Sequence, residues 1–284
     1  CDIYCTPGVP SELQVMLLEQ IIPEIAKKLP SELLTDVTRL QVFGLGESSL
    51  QKMIDEQLPH WPTNIELGFR AGVPLLEVKL TTTTKDAYQQ KKAWLSKLSR
   101  VLGDHLIATV DSEPLSLAKH VLTKLTEANL TITTAESCTG GLIASMLTRE
   151  PGASALFEAG FVTYSNSMKT KLLGVPEQLL HNYGAVSQEV VMAMAQGALD
   201  VSSADLAIAV SGIAGPSGGS KDKPVGTVWI AWGSKAALQT ICLSVPLPRD
   251  YFQKYVANIC LDLIRRQLIK SKETPSYIIE RAKT

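Results

Sequence analysis

The stretch from residue 130 to residue 147 constrains the fold more than any other part of the chain. An alternating run leads into the corner Ser137-Cys138-Thr139-Gly140-Gly141, and an apolar run of helical character leads out of it. This pattern predicts a strand, a tight turn and the start of a helix. A serine at such a corner meets unpaired backbone N–H groups, and the glycines allow another molecule to approach the backbone. The corner can therefore stabilise an oxyanion, although a Ser/Thr N-cap before a glycine-rich turn gives the same pattern.

Helices continue to alternate with strands as far as residue 270. The near-continuous apolar run Asp205 to Val210 is typical of a strand buried on both faces, and Arg249 to Ile269 reads as a long closing helix. The predicted fold class is α/β, with a three-layer αβα domain over residues 113–270. Residues 271–284 are expected to form a polar, frayed tail.

A smaller module is expected before that domain. Residues 37–110 read as strand, helix, strand, strand and helix, which is similar to a small α+β module of the KH type. KH domains bind RNA with a G-x-x-G loop, and this segment has none. A structural or spacer role is therefore favoured for the module. The likeliest boundary between the two units is residues 111–114, an acidic stretch that ends in proline.

The first 28 residues are expected to be the remnant of a third domain. A strand at Cys1 to Cys5 and a helix from Ser11 are predicted, and such a pair cannot bury a core alone. The chain also opens on Cys1 within an apolar phrase, which favours a fragment whose upstream part is missing.

Composition and charge exclude several classes of function. The net charge of −1 gives no electrostatic footprint for nucleic acid, and no apolar run approaches the ~20 residues that span a bilayer. The five cysteines are scattered and the four histidines are well separated, without the spacing of a metal site. Neither a metal nor a cofactor is expected. With no signal peptide in view, reduced thiols in a cytoplasm are the simplest account.

Three strand ends carry the candidate chemistry, since ligands collect outside the carboxyl ends of the strands in such sheets. One carries Ser137, one carries Tyr164 with Lys169 in the next helical turn, and one carries Ser211. No histidine stands near Ser137, so a Ser-Lys-Tyr set is the remaining route to an activated serine. A desolvated lysine can relay a proton, and a phenol can pass one to a leaving group.

Each candidate also has a structural interpretation. Tyr164 alone is more often a core residue at a strand end, and Lys169 alone is more often a solvated helix residue. Cys138 is a rival nucleophile, because a thiol at a helix N-terminus ionises readily, but it has no histidine partner and ranks below Ser137. The loop 211–219 is either a phosphate cradle or a long turn. Lys221 and Lys223 at its tip either steer an anion or are simply solvated.

Several long strings, in order and spacing, closely resemble one family. They are Thr134-Ala135-Glu136-Ser137-Cys138-Thr139-Gly140-Gly141, Gly160-Phe161-Val162-Thr163-Tyr164-Ser165-Asn166 with Lys169, Gly184-Ala185-Val186-Ser187, and Ser211-Gly212-Ile213-Ala214-Gly215-Pro216 through Lys223-Pro224-Val225-Gly226-Thr227-Val228. The chain from 113 to 270 resembles the CinA C-terminal domain, the nicotinamide mononucleotide deamidase fold. Residues 7–12 resemble the end of the family's molybdopterin-binding-like N-terminal domain, and the middle module fits the KH-type insert of full-length CinA proteins.

The resemblance implies hydrolysis of the carboxamide of nicotinamide mononucleotide to nicotinate mononucleotide and ammonia. It implies Ser137 as the nucleophile, with Tyr164 and Lys169 as proton-transfer partners, and a homodimer. The residues expected to bind the substrate are Thr139, Gly140 and Gly141, whose amides would form the oxyanion hole, and Ser211, Gly212, Gly215, Gly219 and Arg249. The family's ADP-ribose pyrophosphatase activity, which uses a divalent metal, belongs to the N-terminal domain that is expected to be missing.

One departure from the family pattern leaves a second hypothesis open. Members usually read G-D-R near the start of the last helix, with a further arginine four residues after that arginine. Here the phrase is Leu247-Pro248-Arg249-Asp250, and Gln253 stands at the second position. Arg249 and Lys254 are then expected to meet the substrate phosphate, and a lysine offers a point charge rather than a bidentate fork. The alternative is a catalytically weakened nucleotide-binding module. An interaction role in DNA uptake or damage response is suggested only by the family's name.

Overall fold

The computed structural model of this chain describes residues 2–28, 35–72, 75–110 and 115–282. Two β-sheets organise them, one of four strands and one of five. The predicted boundary at 111–114 and two residues of the predicted turn at 72–74 lie outside the described residues. No helix in the described ranges combines the length and the apolar character that crossing a bilayer requires.

The N-terminal segment is an interrupted helix. It consists of α1 (Pro10–Met16), a π-helical turn (Leu17–Ile21) and α2 (Ile22–Lys28). Pro23 explains the interruption, because proline has no N–H and its ring displaces the carbonyl of the preceding turn. The Ile22 N–H accordingly bonds to the Leu17 carbonyl, five residues back. The strand predicted at Cys1 to Cys5 is wrong for residues 2–5, which form neither helix nor strand, and residue 1 lies outside the described residues.

The four-stranded sheet belongs to the middle module. Its elements are β1 (Asp36–Val42), α3 (Glu47–Gln57), β2 (Glu66–Ala71), β3 (Leu76–Thr82), α4 (Lys85–Leu102) and β4 (Leu106–Val110). All strand pairs are antiparallel, in the order β2-β3-β1-β4, which is the ferredoxin-like β-α-β-β-α-β arrangement. Strand β4, a short strand that follows a single 3₁₀ turn, was not predicted from the sequence. The KH-type interpretation therefore stays a prediction, made from five of six elements.

The five-stranded sheet belongs to the C-terminal domain. Its elements in chain order are α5 (Leu117–Ala128), β5 (Ile132–Glu136), α6 (Leu142–Thr148), β6 (Phe157–Val162), α7 (Asn166–Leu173), α8 (Glu177–Tyr183), α9 (Gln188–Ser202), β7 (Leu206–Gly212), β8 (Thr227–Ser234), β9 (Ala237–Ser244), α10 (Arg249–Leu268) and α11 (Ser276–Arg281). The strand order is β6-β5-β7-β8-β9. Strands β6, β5 and β7 are parallel, and β8 and β9 run antiparallel to their neighbours.

Helices cover both faces of this sheet, which confirms the predicted three-layer αβα architecture. Side chains of α5, α6 and α10 form one core against the sheet, and side chains of α9 with the end of α7 form a second core on the opposite face. Strand β7 shows why its sequence is apolar throughout. Ala207 and Ala209 pack into the α9 core, whereas Ile208 and Val210 pack into the α10 core, so both faces of the strand are buried.

The expectation of a frayed tail at 271–284 is wrong for residues 276–281, which form helix α11; residues 283 and 284 lie outside the described residues. Helix α11 carries Tyr277, which is fully buried. Its ring centroid lies 5.7 Å from that of Phe43, and its hydroxyl donates a 2.8 Å hydrogen bond to Asp262 Oδ2. The polar composition of the tail hid this contact, because one aromatic residue is enough to dock a short helix. The tail joins the middle module to α10.

Candidate active site

The ends of strands β5, β6 and β7 lie side by side at one edge of the sheet. In the parallel register, Glu136 pairs with Val162 on one side and with Val210 on the other. The Ser137 N–H then donates to the Val210 carbonyl at 3.0 Å, and the Thr163 N–H donates to the Glu136 carbonyl at 2.9 Å. The backbone therefore holds the residues that follow the three strands in a fixed register, as expected for the carboxyl edge of such a sheet.

Ser137 and Lys169 are in direct contact at this edge. The Lys169 Nζ lies 3.1 Å from the Ser137 Oγ. Lys169 sits in the first turn of α7, whose N-terminus is capped by Ser165, since its Oγ accepts from the Met168 N–H. The lysine side chain is buried, with 1% of the residue exposed. It also contacts the carbonyl oxygens of Thr163 at 2.8 Å and Tyr164 at 3.2 Å.

These contacts are compatible with a neutral amine. Burial lowers the pKa of Lys169 below its ordinary value, and no carboxylate pairs with it among the described ion pairs. A neutral amine has two N–H groups and one lone pair. Its two N–H groups can donate to the two carbonyls, which leaves the lone pair for the hydroxyl proton of Ser137. Lys169 can therefore act as the base that activates Ser137.

Tyr164 lies at the site, but the described hydrogen bond of its phenol is with Arg249 and not with the serine. The residue is 62% exposed, and its hydroxyl accepts a 3.0 Å hydrogen bond from Arg249 Nη2. Among the described hydrogen bonds, none joins the phenol to Ser137 or Lys169. The backbone carbonyl of Tyr164, by contrast, helps to hold the lysine. The structure thus brings together the predicted serine and lysine, and proton transfer through the phenol stays a prediction.

The turn after Ser137 is organised by a buried carboxylate that the sequence analysis did not single out. Glu136 is fully buried. Its Oε2 accepts from the Thr139 hydroxyl at 2.7 Å and from the N–H groups of Gly141 and Ile143 at 3.1 Å each, and its Oε1 accepts from the Ala144 N–H at 2.8 Å. A carboxylate is stable there because it meets the unpaired N–H groups at the start of α6. The available signal was an acidic residue at the end of a predicted strand, within one turn of a predicted helix start.

The Glu136 carboxylate also occupies one of the N–H groups predicted to form the oxyanion hole. The Gly141 N–H donates to Glu136, and the Gly140 N–H donates to the Ser137 carbonyl at 3.1 Å. Two of the three predicted amide donors therefore already have partners. The third, the Thr139 N–H, has no partner among the described hydrogen bonds. Oxyanion binding by the turn stays a prediction, and Thr139 is its remaining donor.

The rival nucleophile Cys138 is held in the thiol form. Burial raises the pKa of the Cys138 thiol to about 12, so the reactive thiolate is scarce at neutral pH. Glu136, which occupies the start of α6, adds to this effect. This disfavours Cys138 as a nucleophile, and the assignment of Ser137 stays a prediction.

The third strand end holds a tightly packed loop. Ser211 is buried, and its Oγ donates a 2.7 Å hydrogen bond to the Ala185 carbonyl. A Cβ atom added at Gly212 would lie 2.9 Å from the Thr227 oxygen, and Cβ atoms at Gly215 and Gly219 would lie 2.5 Å and 2.8 Å from atoms of Val225. These residues therefore have a packing role, and nucleotide binding by them stays a prediction. The Lys223 Nζ donates a 2.6 Å hydrogen bond to the Tyr183 carbonyl.

Helix α10 contributes two side chains from its first turns. Arg249 donates from Nη1 to the Gly215 carbonyl at 2.9 Å, in addition to its bond with Tyr164. Gln253, one turn later, donates from Nε2 to the Cys138 carbonyl at 2.8 Å. A cavity of about 370 Å³ opens between this helix and the turn. Its lining includes Gly140, Gly141 and Lys254.

The described residues contain no group of three or more His, Cys, Asp or Glu side chains that could hold a metal ion.

Comparison with known proteins places residues 115–268 within the family model described as the CinA C-terminal domain. A CinA-like protein of Colwellia psychrerythraea is 63% identical over all 284 residues, and one of Shewanella denitrificans is 41% identical over 97% of the chain. The chain spans 66% and 64% of the lengths of these two relatives, which is less than two thirds.

Two solved structures are similar to the C-terminal part of the chain. A competence/damage inducible protein from Agrobacterium tumefaciens is 42% identical, with a TM-score of 0.51, and covers 52% of this chain and 90% of its own. A competence-damaged protein (CinA) superfamily protein from Klebsiella pneumoniae is 33% identical, with a TM-score of 0.53, and covers 54% of this chain and 96% of its own.

Proposed function

This chain belongs to the CinA family, and we propose that its C-terminal domain hydrolyses the carboxamide of nicotinamide mononucleotide to nicotinate mononucleotide and ammonia. The reaction would serve pyridine nucleotide salvage. The observation that carries the proposal is the 3.1 Å contact between the Ser137 Oγ and the Nζ of Lys169, whose pKa is lowered by burial. A serine next to a neutral lysine is suited to attack an amide carbonyl.

In the acylation step, Lys169 takes the proton of the Ser137 hydroxyl while the oxygen attacks the carboxamide carbon. The new C–O bond gives a tetrahedral intermediate whose oxyanion can accept a hydrogen bond from the Thr139 N–H. The C–N bond then breaks. The nitrogen leaves as ammonia with the proton that Lys169 had taken, and Ser137 is left as an ester of the pyridine carboxylate. Tyr164 is a second candidate for proton delivery to the nitrogen.

In the deacylation step, water attacks the ester carbon while the neutral Lys169 takes a proton from it. The C–O bond to Ser137 breaks, and the serine oxygen recovers a proton from Lys169. The products are the carboxylic acid, which ionises, and the free enzyme, so that one water is consumed for each ammonia released. No other reactant is needed.

Recognition of the substrate phosphate is assigned to α10. Arg249 uses two of its guanidinium N–H groups on neutral oxygens of Gly215 and Tyr164, and a guanidinium has five such donors. The remaining donors can meet a phosphate. Lys254 lines the neighbouring cavity of about 370 Å³, a volume within the usual range for small-molecule sites.

The proposal is tested by ammonia release from nicotinamide mononucleotide. We expect Ser137→Ala to lower kcat by at least about 1,000-fold, because the nucleophile is lost. Ser96→Ala, on the surface of α4, is the matched control and should keep the wild-type rate. Equal rates for the wild type and Ser137→Ala would reject the assignment of the nucleophile.

A second candidate function is a nucleotide-binding module with little turnover, favoured by Gln253 at the position where the family has an arginine. Calorimetric binding of nicotinamide mononucleotide without ammonia release would support it. We also propose that the protein is a cytoplasmic homodimer, as the family resemblance implies. Sedimentation equilibrium measures the oligomeric state.

A further inference from the structure

Gln253 occupies the position where the family pattern has an arginine, and in the structure it faces the catalytic turn. We propose that Gln253 is a positioning residue, which orients the Cys138–Thr139 peptide so that the Thr139 N–H points at the developing oxyanion. This inference rests on the proposed amide hydrolysis. It assigns Gln253 to the chemical step, whereas a residue at the family's arginine position would be expected to bind the substrate phosphate.

The geometry of one peptide group, that between Cys138 and Thr139, links Gln253 to the Thr139 N–H. The Cys138 carbonyl and the Thr139 N–H belong to the same planar unit, and this unit is trans, since the one cis peptide among the described residues is Gly215–Pro216. In a trans peptide the C=O and the N–H point in opposite directions. Gln253 Nε2 donates to the Cys138 oxygen at 2.8 Å. The hydrogen bond to the carbonyl therefore fixes the direction of the N–H.

The Cys138 carbonyl and the Ser137 hydroxyl lie on opposite sides of the sheet. Helix α10 packs on the face that buries Ile132 and Val210. Ala135 faces the opposite core, and because side chains alternate along a strand, Ser137 follows Ala135 to that face, where it meets Lys169. The Cys138 carbonyl points towards α10, so the Thr139 N–H points towards the face that carries the reacting hydroxyl.

The Thr139 N–H is left without a partner among the described hydrogen bonds. Thr139 is 3% exposed, and its N–H makes none of the described hydrogen bonds. Buried N–H groups without a partner are rare in folded proteins. The neighbouring N–H groups of Gly140 and Gly141 are both occupied. The N–H groups of Cys138 and Thr139 both make none of the described hydrogen bonds, and unpaired donors next to a nucleophile are the arrangement expected of an oxyanion site.

Two residues on different elements, Glu136 and Gln253, hold the turn. Glu136 holds the Thr139 hydroxyl and the Gly141 N–H from within the turn, whereas Gln253 reaches the carbonyl from α10. A Cβ atom added at Gly140 would lie 3.8 Å from Gln253 Nε2, so the amide lies directly against the turn. A donor on the carbonyl also polarises the peptide and strengthens its N–H as a donor.

The inference is tested with three variants at this position and one control. Gln253→Met keeps the size of the side chain and removes the donor, Gln253→Glu replaces the donor by an acceptor, and Gln253→Arg keeps N–H donors at similar reach. Gln89→Met, on the surface of α4, is the control. For each variant, kcat and KM are measured for ammonia release from nicotinamide mononucleotide, together with the backbone amide exchange of the Ser137–Gly141 turn.

We expect Gln253→Met to lower kcat by about tenfold to hundredfold with KM within about twofold of the wild type. Gln253→Glu should lose at least as much, and Gln253→Arg should recover most of kcat. A rise in KM with kcat unchanged would overturn the inference and assign Gln253 to phosphate binding. Wild-type kcat in Gln253→Met would also overturn it.

The exchange measurement separates this inference from the proposed function. If the wild type releases no ammonia, the proposed reaction fails. The orientation of the turn is then judged by exchange alone. Faster exchange of the turn amides in Gln253→Met than in Gln89→Met supports the role of Gln253 as a support of the turn. Equal exchange in the two variants overturns it.

Discussion

At the residue scale, the buried surroundings of Lys169 disfavour its charged form. An ammonium group buried without a carboxylate would be costly, because desolvation penalises the charged form. The two carbonyl acceptors and the hydroxyl around the Nζ fit the neutral amine as well as the cation. Burial disfavours the charged form and lowers the pKa of Lys169. The same burial that costs stability makes the side chain a base.

The pH dependence of kcat/KM is the first prediction at this scale. The neutral amine is the active form, so kcat/KM rises with pH through the lowered pKa of Lys169 and levels off above it. The midpoint is expected below the ordinary lysine value of 10.5. Rates of ammonia release between about pH 5 and about pH 10 give the profile. A rate that falls as pH rises over this range would contradict a lysine base.

At the scale of the element, the strand β5, its turn and helix α6 act as one unit. Glu136 is the last residue of the strand and binds the first N–H groups of the helix. The carboxylate therefore links the two elements and fixes the direction in which Ser137 leaves the sheet. Its effect on the site is indirect, through the turn.

Glu136→Gln tests this link. The amide nitrogen of glutamine cannot accept the N–H bonds that a carboxylate oxygen accepts, so at least one buried donor loses its partner. We expect a loss of about 2–3 kcal/mol in the free energy of unfolding and a lower kcat. Urea denaturation measures the first effect. Glu127→Gln, on the exposed part of α5, is the control. Unchanged stability in Glu136→Gln would contradict the role of the carboxylate.

The elements differ in how much of them could be predicted from the sequence. The alternating run before Ser137 and the apolar run Asp205 to Val210 predicted two strands of the C-terminal sheet, and the closing helix predicted at Arg249 to Ile269 is confirmed as α10. Strand β4 was missed because five residues after a 3₁₀ turn carry little periodicity. Helix α8, which begins after Pro176, was missed as well.

Some features of the candidate active site could be predicted from the sequence, and others could not. That Ser137 and Lys169 meet could be predicted, because both follow neighbouring parallel strands whose carboxyl ends share an edge. The direction of the Tyr164 phenol could not, because it depends on Arg249, a residue far along the chain whose position only the tertiary fold sets. The roles of Glu136 and Gln253 were hidden for the same reason. The Gln253 partner is a backbone carbonyl and most of the Glu136 partners are backbone N–H groups, and residue types in the sequence do not specify such partners.

At the scale of the whole molecule, the middle module is fastened to the C-terminal domain by a buried polar cluster. Asp262 accepts from Arg265 Nε at 2.7 Å and from Arg266 Nε at 2.8 Å. Both arginines donate in turn to the Asp104 carbonyl in the turn before β4. The Asp104 N–H donates to Glu273 Oε2 at 2.9 Å. The charges in this cluster are paired and hydrogen-bonded, as burial requires.

Tyr277 also contacts both the middle module and α10, so its removal is expected to destabilise the whole molecule. The ring packs against Phe43 of the middle module, and the hydroxyl bonds to Asp262. We expect Tyr277→Ala to lower the free energy of unfolding by about 3–5 kcal/mol. Tyr277→Phe should cost about 1 kcal/mol, because the ring contact remains.

Tyr88, which is exposed on α4, provides the control variant Tyr88→Ala. Urea denaturation of the three variants measures the differences. A loss in Tyr277→Ala no larger than that in Tyr88→Ala would mean that the end of the chain does not dock as described.

The central claim is that neutral Lys169 removes the proton of Ser137, and Lys169→Arg tests it most directly. Arginine keeps a long side chain with N–H donors at this position, but a guanidinium stays charged because it cannot be deprotonated in a protein. The measurement is kcat for ammonia release from nicotinamide mononucleotide by the purified variant. We predict a fall of at least about 1,000-fold relative to the wild type. A rate within about tenfold of the wild type would contradict the account, because a positive charge alone would then be sufficient.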